Sequence, residues 1–206
     1  MDIEILRPFG PSVVKIKIPE ETINEMNLFV DEIINDKEKL EKYDEGPKLA
    51  GNVSQEFLMT TEFMQKIKWA EFLASGCSDW VRKEKQIKLK KFHIIKSWIV
   101  RQFKNEYNPI HYHSGDVSGV GYLKVPNSMG ETLQKNKRVN HNGKLILIDG
   151  SKKLFSSPTY AITPQVGDFY LFPSYLMHTV YPFSGTDEER RSVSFNAKLD
   201  EVASAL

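Results

Sequence analysis

Between residues 92 and 198 apolar and polar residues alternate in short runs separated by turn chemistry, a period of two that confines this half of the chain to antiparallel β-sheet. The runs are His93–Phe103, Asn108–His113, Val117–Val125, Lys144–Ile148, Thr159–Thr163, Phe169–Phe172, Met177–Tyr181 and Arg190–Lys198. Asn142-Gly143 and Asp149-Gly150 flank the apolar run Lys144–Ile148, and both dipeptides favour the positive φ values of tight hairpin turns. So many short strands in one stretch fit a cupin-like jelly roll, a double-stranded β-helix. Its two sheets leave a mouth able to hold a metal and a small molecule.

The texture before residue 92 is different. Ser12–Ile18 alternates Val14, Ile16 and Ile18 with polar residues, which predicts a half-buried strand. Pro19 and two glutamates then open a helix whose Ile23, Met26, Val30 and Ile33 form one apolar stripe, followed by a charged, solvated Asp-Lys-Glu-Lys-Leu-Glu-Lys segment. A second helix is expected from Thr61 to about Lys83, with Phe63, Ile67, Ala70, Leu73, Cys77 and Trp80 along its packing side. A chain of 206 residues suits one core better than two. The expectation is therefore a single domain over 1–206, mainly β with N-terminal helices: residues 1–91 supply a strand and helices that pack on a jelly-roll core at 92–200.

Lys and Arg (28) nearly cancel Asp and Glu (27), so no duplex nucleic acid is expected as an electrostatic partner. The single cysteine, Cys77, excludes an intramolecular disulfide and a cysteine-cluster zinc site; it reads as core. No window approaches a membrane span, and Met1–Arg7 shows no basic segment leading into an apolar run. A cytoplasmic protein with no membrane partner is expected.

Any metal must then use His, Asp or Glu. His111 and His113 are two apart on a predicted strand, so both side chains point to the same side and can share an ion. His178 lies far along the chain on another predicted strand and can join them only through the fold. Two close ligands and one remote suit a jelly-roll iron site with open positions. His93 and His141 read as ordinary histidines, His141 solvated beside its turn. On the last strand, Arg190, Ser192, Ser194 and Asn196 share one face and Arg191, Val193, Phe195 and Ala197 the other. The second face suits packing against helices. The first suits a wet cavity, where an arginine offers a planar fork to a carboxylate and Ser192 adds a hydroxyl.

Three segments, Asn108–Pro126, Gly167–His178 and Glu189–Asn196, together resemble the 2-oxoglutarate/Fe(II) oxygenase superfamily, most closely a bacterial and phage branch with a prolyl-hydroxylase-like core. The resemblance runs from about Trp98 to Lys198 and implies His111 as first ligand and His178 as the distal one. It further implies that Arg190 and Ser192 form the Arg-x-Ser pair for the far carboxylate of 2-oxoglutarate, and that Tyr122 adds its hydroxyl. The motif departs at the usual carboxylate position, which is His113. Either His113 is the third ligand or Asp116, in the turn that follows, supplies the carboxylate.

The implied activity couples oxidative decarboxylation of 2-oxoglutarate, with Fe(II) and O2, to oxidation of a second substrate, a small molecule or a protein side chain, as a hydroxylase does. Two other readings are a cupin-type metal dioxygenase without 2-oxoglutarate, against which the Arg-x-Ser pair argues, and a noncatalytic jelly-roll module. The polar, basic stretch Asn127–Asn142 is a candidate lid or a plain solvated loop. Exposed strand edges and the N-terminal helices offer surfaces for a homodimer.

Overall fold

In the computed structural model, which describes residues 10–46, 51–150, 152, 154–155 and 157–200, two antiparallel sheets face each other as a sandwich. The larger sheet combines β1 (Val14–Lys17), β2 (Gln55–Leu58), β3 (Phe92–Gln102), β5 (Val117–Lys124), β8 (Asp168–Pro173) and β10 (Arg190–Leu199), ordered β1-β8-β5-β10-β3-β2. The smaller sheet runs β4 (Asn108–His111), β9 (Met177–Val180), β6 (Leu145–Ile148) and β7 (Thr159–Ile162). The strands expected after residue 92 all form, within a residue or two at each end. The Met1–Arg7 segment read for a leader lies outside the described residues.

Alternation divides the larger sheet between two cores. Val193, Phe195, Ala197, Phe169 and Leu171 point to the helix side and join Met26, Val30, Ile33, Trp69, Leu73 and Cys77 in one buried cluster. Tyr122, Tyr170 and Phe172 point the other way and meet Leu145, Leu147 and Val180 between the sheets. Gly119 and Gly121 face the helix-side core because the rings of Phe195 and Phe169 occupy the room a side chain would need: a Cβ there would lie 2.6 Å and 2.4 Å from them.

The helices carry two findings that the residue pattern did not announce. Helix α1 (Glu20–Ile34) buries the expected stripe, with Glu20 and Glu21 complementing its N-terminal dipole. The charged segment after it is a helix of its own, α2 (Lys37–Tyr43), because the Asp36 carboxylate accepts from the backbone N–H groups of Glu38 and Lys39. The expected second helix is two: α3 (Thr61–Lys66), capped by Thr60, and α4 (Trp69–Lys85), separated by Lys68 in the left-handed region at φ 55°. That break resets the phase, so Trp69, Leu73, Cys77 and Val81 are buried rather than the sequence that included Ala70. Trp69 also donates its indole N–H to Ser97 Oγ, fixing α4 to β3. Strand β2 was not expected. It pairs with β3 at the sheet edge, placing Glu56 opposite Val100.

Neither glycine-containing dipeptide makes a two-residue hairpin. Gly143 and Gly150 do take positive φ, 66° and 64°, but β6 and β7 are joined by the longer stretch 149–158. Among the described residues no helix is long and apolar enough to cross a membrane.

Candidate metal and cosubstrate site

The antiparallel register of β4 and β9 sets His111 directly across from His178, and their rings lie 4.3 Å apart. His113, just past the end of β4, is held by its backbone N–H donating to Ser174 O. Its ring stands 4.9 Å from each of the other two. One ligand atom from each of the three lies within 4.8 Å of the others, the one such group of three or more His, Cys, Asp or Glu among the described residues.

Hydrogen bonds orient two of these rings. His111 Nδ1–H donates to Pro109 O (2.7 Å) and His178 Nδ1–H to Leu176 O (2.9 Å). A carbonyl only accepts, so Nδ1 carries a proton, and Nε2 is the atom each ring can offer a metal. Burial, reinforced by the repulsion of His178, His111 and Lys96, pulls His113 down to about 3. Burial and His111 pull His178 down to about 4, against the Leu176 bond. Both are thus neutral at physiological pH, and the trio fits a divalent metal.

The trio lines a cavity of about 230 Å³ between the sheets, which Tyr122, Arg190 and Ser192 also line. Ser192 lies opposite Tyr122 in the β10–β5 pairing, so the two flank the same spot, with Arg190 two residues along β10. Arg190 is 2% exposed. Its Nη1 donates to Gly143 O (2.8 Å) and its Nη2 to Gln102 Oε1, both neutral, while its buried Nε has no partner. The Tyr122 hydroxyl is likewise buried and unpartnered. Burial lowers the guanidinium to about 10, opposed by Tyr122, and raises the Tyr122 phenol, so the first stays charged and the second neutral at pH 7. A buried cation with no anion, next to an idle hydroxyl donor, is a receptacle for a carboxylate.

The sequence-named residues therefore divide. His111, His113, His178, Tyr122, Arg190 and Ser192 share one cavity. Asp116 does not join the histidine group: its carboxylate accepts from Leu199 N (2.8 Å), its N–H donates to Ala197 O and its carbonyl accepts from Ser174 N, tying the β4–β5 turn to the end of β10. His141 is not the solvated residue expected; it is half-buried beside Tyr181, with Nδ1 shielded and unpartnered. His93 is exposed. Cys77 is buried on α4, where burial pushes its thiol up to about 12. Sequence reasoning missed Glu56 and Trp98 in the cavity wall and Gln102, which holds the Arg190 guanidinium. Gln102 alone carried a signal, since it faces Arg190 once β3 and β10 are paired.

The family model described as "Putative 2OG-Fe(II) oxygenase" matches residues 96–196. The chain belongs to the 2-oxoglutarate/Fe(II) oxygenase superfamily. This oxygenase depends on Fe(II) and 2-oxoglutarate, and its architecture recurs in solved members. A viral collagen prolyl hydroxylase from Paramecium Bursaria Chlorella virus-1 is 15% identical, with a TM-score of 0.53 over 90% of this chain and 94% of that one. A prolyl-4-hydroxylase from Pseudomonas putida is 14% identical, with a TM-score of 0.55 over 89% and 91%. AviO1 from Streptomyces viridochromogenes is 14% identical, with a TM-score of 0.60 over 93% and 90%. At these identities the likeness carries the double-stranded β-helix fold. A search of curated proteins gives no match.

Proposed function

We propose that His111, His113 and His178 hold Fe(II), that Arg190, Tyr122 and Ser192 hold the far carboxylate of 2-oxoglutarate, and that the enzyme is a hydroxylase of a small molecule or protein side chain. The observation that carries this reading is the fully buried Arg190, without an anion, in the same cavity as three clustered imidazoles. Bound iron with 2-oxoglutarate supplies the activation of O2, with release of succinate and carbon dioxide.

The chain's own residues bind, orient and exclude water. Arg190 Nε–H and the Tyr122 hydroxyl both have a donor to give the carboxylate, and Ser192 stands beside them. The Pro109 and Leu176 carbonyls fix the His111 and His178 rings so that Nε2 is the atom each can offer the iron. Phe172, 5.1 Å from the His178 ring, and Val180 and Leu145 supply apolar parts of the wall. A third imidazole in place of a carboxylate leaves the centre one unit more positive. In support of His113 over Asp116 stands the Leu199 bond that already engages the Asp116 carboxylate.

The helices and the sandwich share a continuous core, in support of one domain. The free, buried Cys77 suits a reducing compartment such as the cytoplasm. A homodimer through an exposed sheet edge fits the same picture.

Anaerobic titration of the Fe(II) protein with 2-oxoglutarate should raise a weak metal-to-ligand charge-transfer band in the visible. No band, together with no succinate in air, removes the reading. His113→Ala should strip the iron, whereas Asp116→Ala should leave iron stoichiometry intact; the reverse pattern would hand the third position to Asp116.

A further inference from the structure

In the same cavity wall two more buried atoms lack partners, and both are acceptors: Glu56 Oε2 on β2 and Asn108 Oδ1 on β4. Glu56 is 2% exposed. The two side chains converge on Gly51: a Cβ there would stand 2.6 Å from Asn108 Oδ1 and 3.2 Å from Glu56 Oε1. The two oxygens therefore lie within about 6 Å of each other, a span that one small functional group bridges with a hydrogen bond to each, and any side chain at Gly51 would crowd Asn108. Arg190 and Tyr122 offer idle donors to the cavity, whereas Glu56 and Asn108 offer idle acceptors.

Among the described residues no ion pair neutralises Glu56. Lys96 also lines the cavity and is close enough to act on the carboxyl, but its ammonium lies over the Trp98 ring, 4.8 Å from the centroid, and forms no ion pair with Glu56. Asp44, bonded to the Glu56 N–H (3.4 Å), adds repulsion rather than relief.

We propose that Glu56 and Asn108, over Gly51, form the substrate subsite of this oxygenase, and that it takes a primary ammonium group. The proposal rests on the oxygenase reading for calling the occupant a substrate. An ammonium carries three N–H donors and one positive charge, so it satisfies Glu56 and Asn108 at once and neutralises the carboxylate. A hydroxyl has a single donor and no charge, and a carboxylate has no donor and a negative charge that Glu56 would repel. The burial that pushes the Glu56 carboxyl up to about 7 shows how poorly it keeps its charge alone.

The test uses the full chain loaded with Zn(II), a diamagnetic stand-in for iron, with the glutamates labelled by 13C and the Glu56 carboxyl assigned by its loss in Glu56→Gln. The probes are n-butylammonium, 1-butanol and butyrate. Butylammonium should saturate, lower the Glu56 titration midpoint by at least one pH unit, and bind at least fivefold more tightly than butanol or butyrate. Asn108→Ala and Gly51→Ala should each weaken the ammonium by at least threefold. Equal binding of ammonium and alcohol, or saturation without movement of the Glu56 resonance, overturns the proposal. Should the variants fail to fold, the wild-type titration alone decides it. This readout needs neither iron nor turnover. A missing charge-transfer band with an ammonium-responsive Glu56 rejects the oxygenase assignment alone, and the converse result rejects the subsite alone.

Discussion

Arg190 and Arg191 are adjacent on β10 and almost equally buried, at 2% and 0% exposure, yet the strand sends them into opposite environments. Arg191 enters the helix side and meets a complete set of partners. Its Nε and Nη2 grip both oxygens of Glu189 (2.7 and 3.1 Å), Nη2 also reaches Asp31 (2.8 Å), and Nη1 donates to Asn27. Arg190 enters the cavity, meets two neutral acceptors and keeps its Nε idle. The contrast separates a charge that serves the fold from one kept in readiness for a ligand. Burying a cation costs several kcal/mol unless it is paired, and only at Arg190 does the fold leave that cost unmet.

The largest effect that would break the comparison is on stability. Arg191→Ala should destabilise the protein by about 3 kcal/mol in urea denaturation, since it removes a buried, fully bonded guanidinium, leaves Asp31 only Lys124 and loosens Glu189, which Arg101 still holds. A loss under about 1 kcal/mol would show that Arg191 is no structural keystone.

Two acids repeat the contrast. Burial alone would raise Glu189, but Arg191 and Arg101 hold it below the ordinary glutamate value; burial raises Glu56 from 4.5 to about 7 with little to oppose it. Between pH 4.5 and about 7 the folded protein therefore holds a proton at Glu56 that the unfolded chain releases. Stability falls as pH rises through that window, and the deficit is complete above it. Glu56→Gln should remove this slope and gain on the order of 2 to 3 kcal/mol at pH 8, with little change at pH 4, by denaturation at both pH values. Parallel wild-type and variant profiles would place a counter-charge at Glu56.

What could be foreseen from sequence depended on how local each signal is. The strands after residue 92 carry their own alternation, so their faces, including the opposed Arg190 and Arg191, were legible. So was the histidine set, because same-side spacing on one strand and a third histidine on another need only the sandwich to unite them. Strand β2 was not, since Gln55-Glu-Phe-Leu58 buries Glu56 and Phe57 in succession and shows no alternation. The α3–α4 break was hidden because Lys68 adopts a left-handed backbone where no glycine or proline advertises it. Glu56 reaches the cavity only through the pairing of β2 with β3, and Asp116 finds Leu199 across 83 positions of chain. Tertiary pairing of that kind leaves no trace in a window of neighbours.

Arg190 itself should answer in the opposite sense to Arg191. Arg190→Ala should weaken 2-oxoglutarate binding by more than tenfold, or about 1.5 to 3 kcal/mol, while unfolding free energy stays within about 1 kcal/mol of wild type, because the charge removed had no counter-ion. Calorimetric titration and urea denaturation read the two sides. A variant as destabilised as Arg191→Ala that still bound 2-oxoglutarate normally would erase the distinction between the two arginines.

The smallest effect is the sharpest in sign. The Tyr122 hydroxyl is buried without a partner, so Tyr122→Phe removes an unmet polar group from the ligand-free protein and leaves the ring in place among Leu145, Leu147 and Phe172. Unfolding free energy should hold or rise by up to about 1 kcal/mol. The same change deletes one donor to the cosubstrate carboxylate, so 2-oxoglutarate affinity should fall a few-fold, roughly 0.5 to 1.5 kcal/mol. A hydroxyl bonded within the fold would instead cost stability when removed and leave affinity untouched. Stability and affinity moving in opposite directions upon loss of one oxygen atom is what a site held open for a ligand requires and what a packed core does not allow.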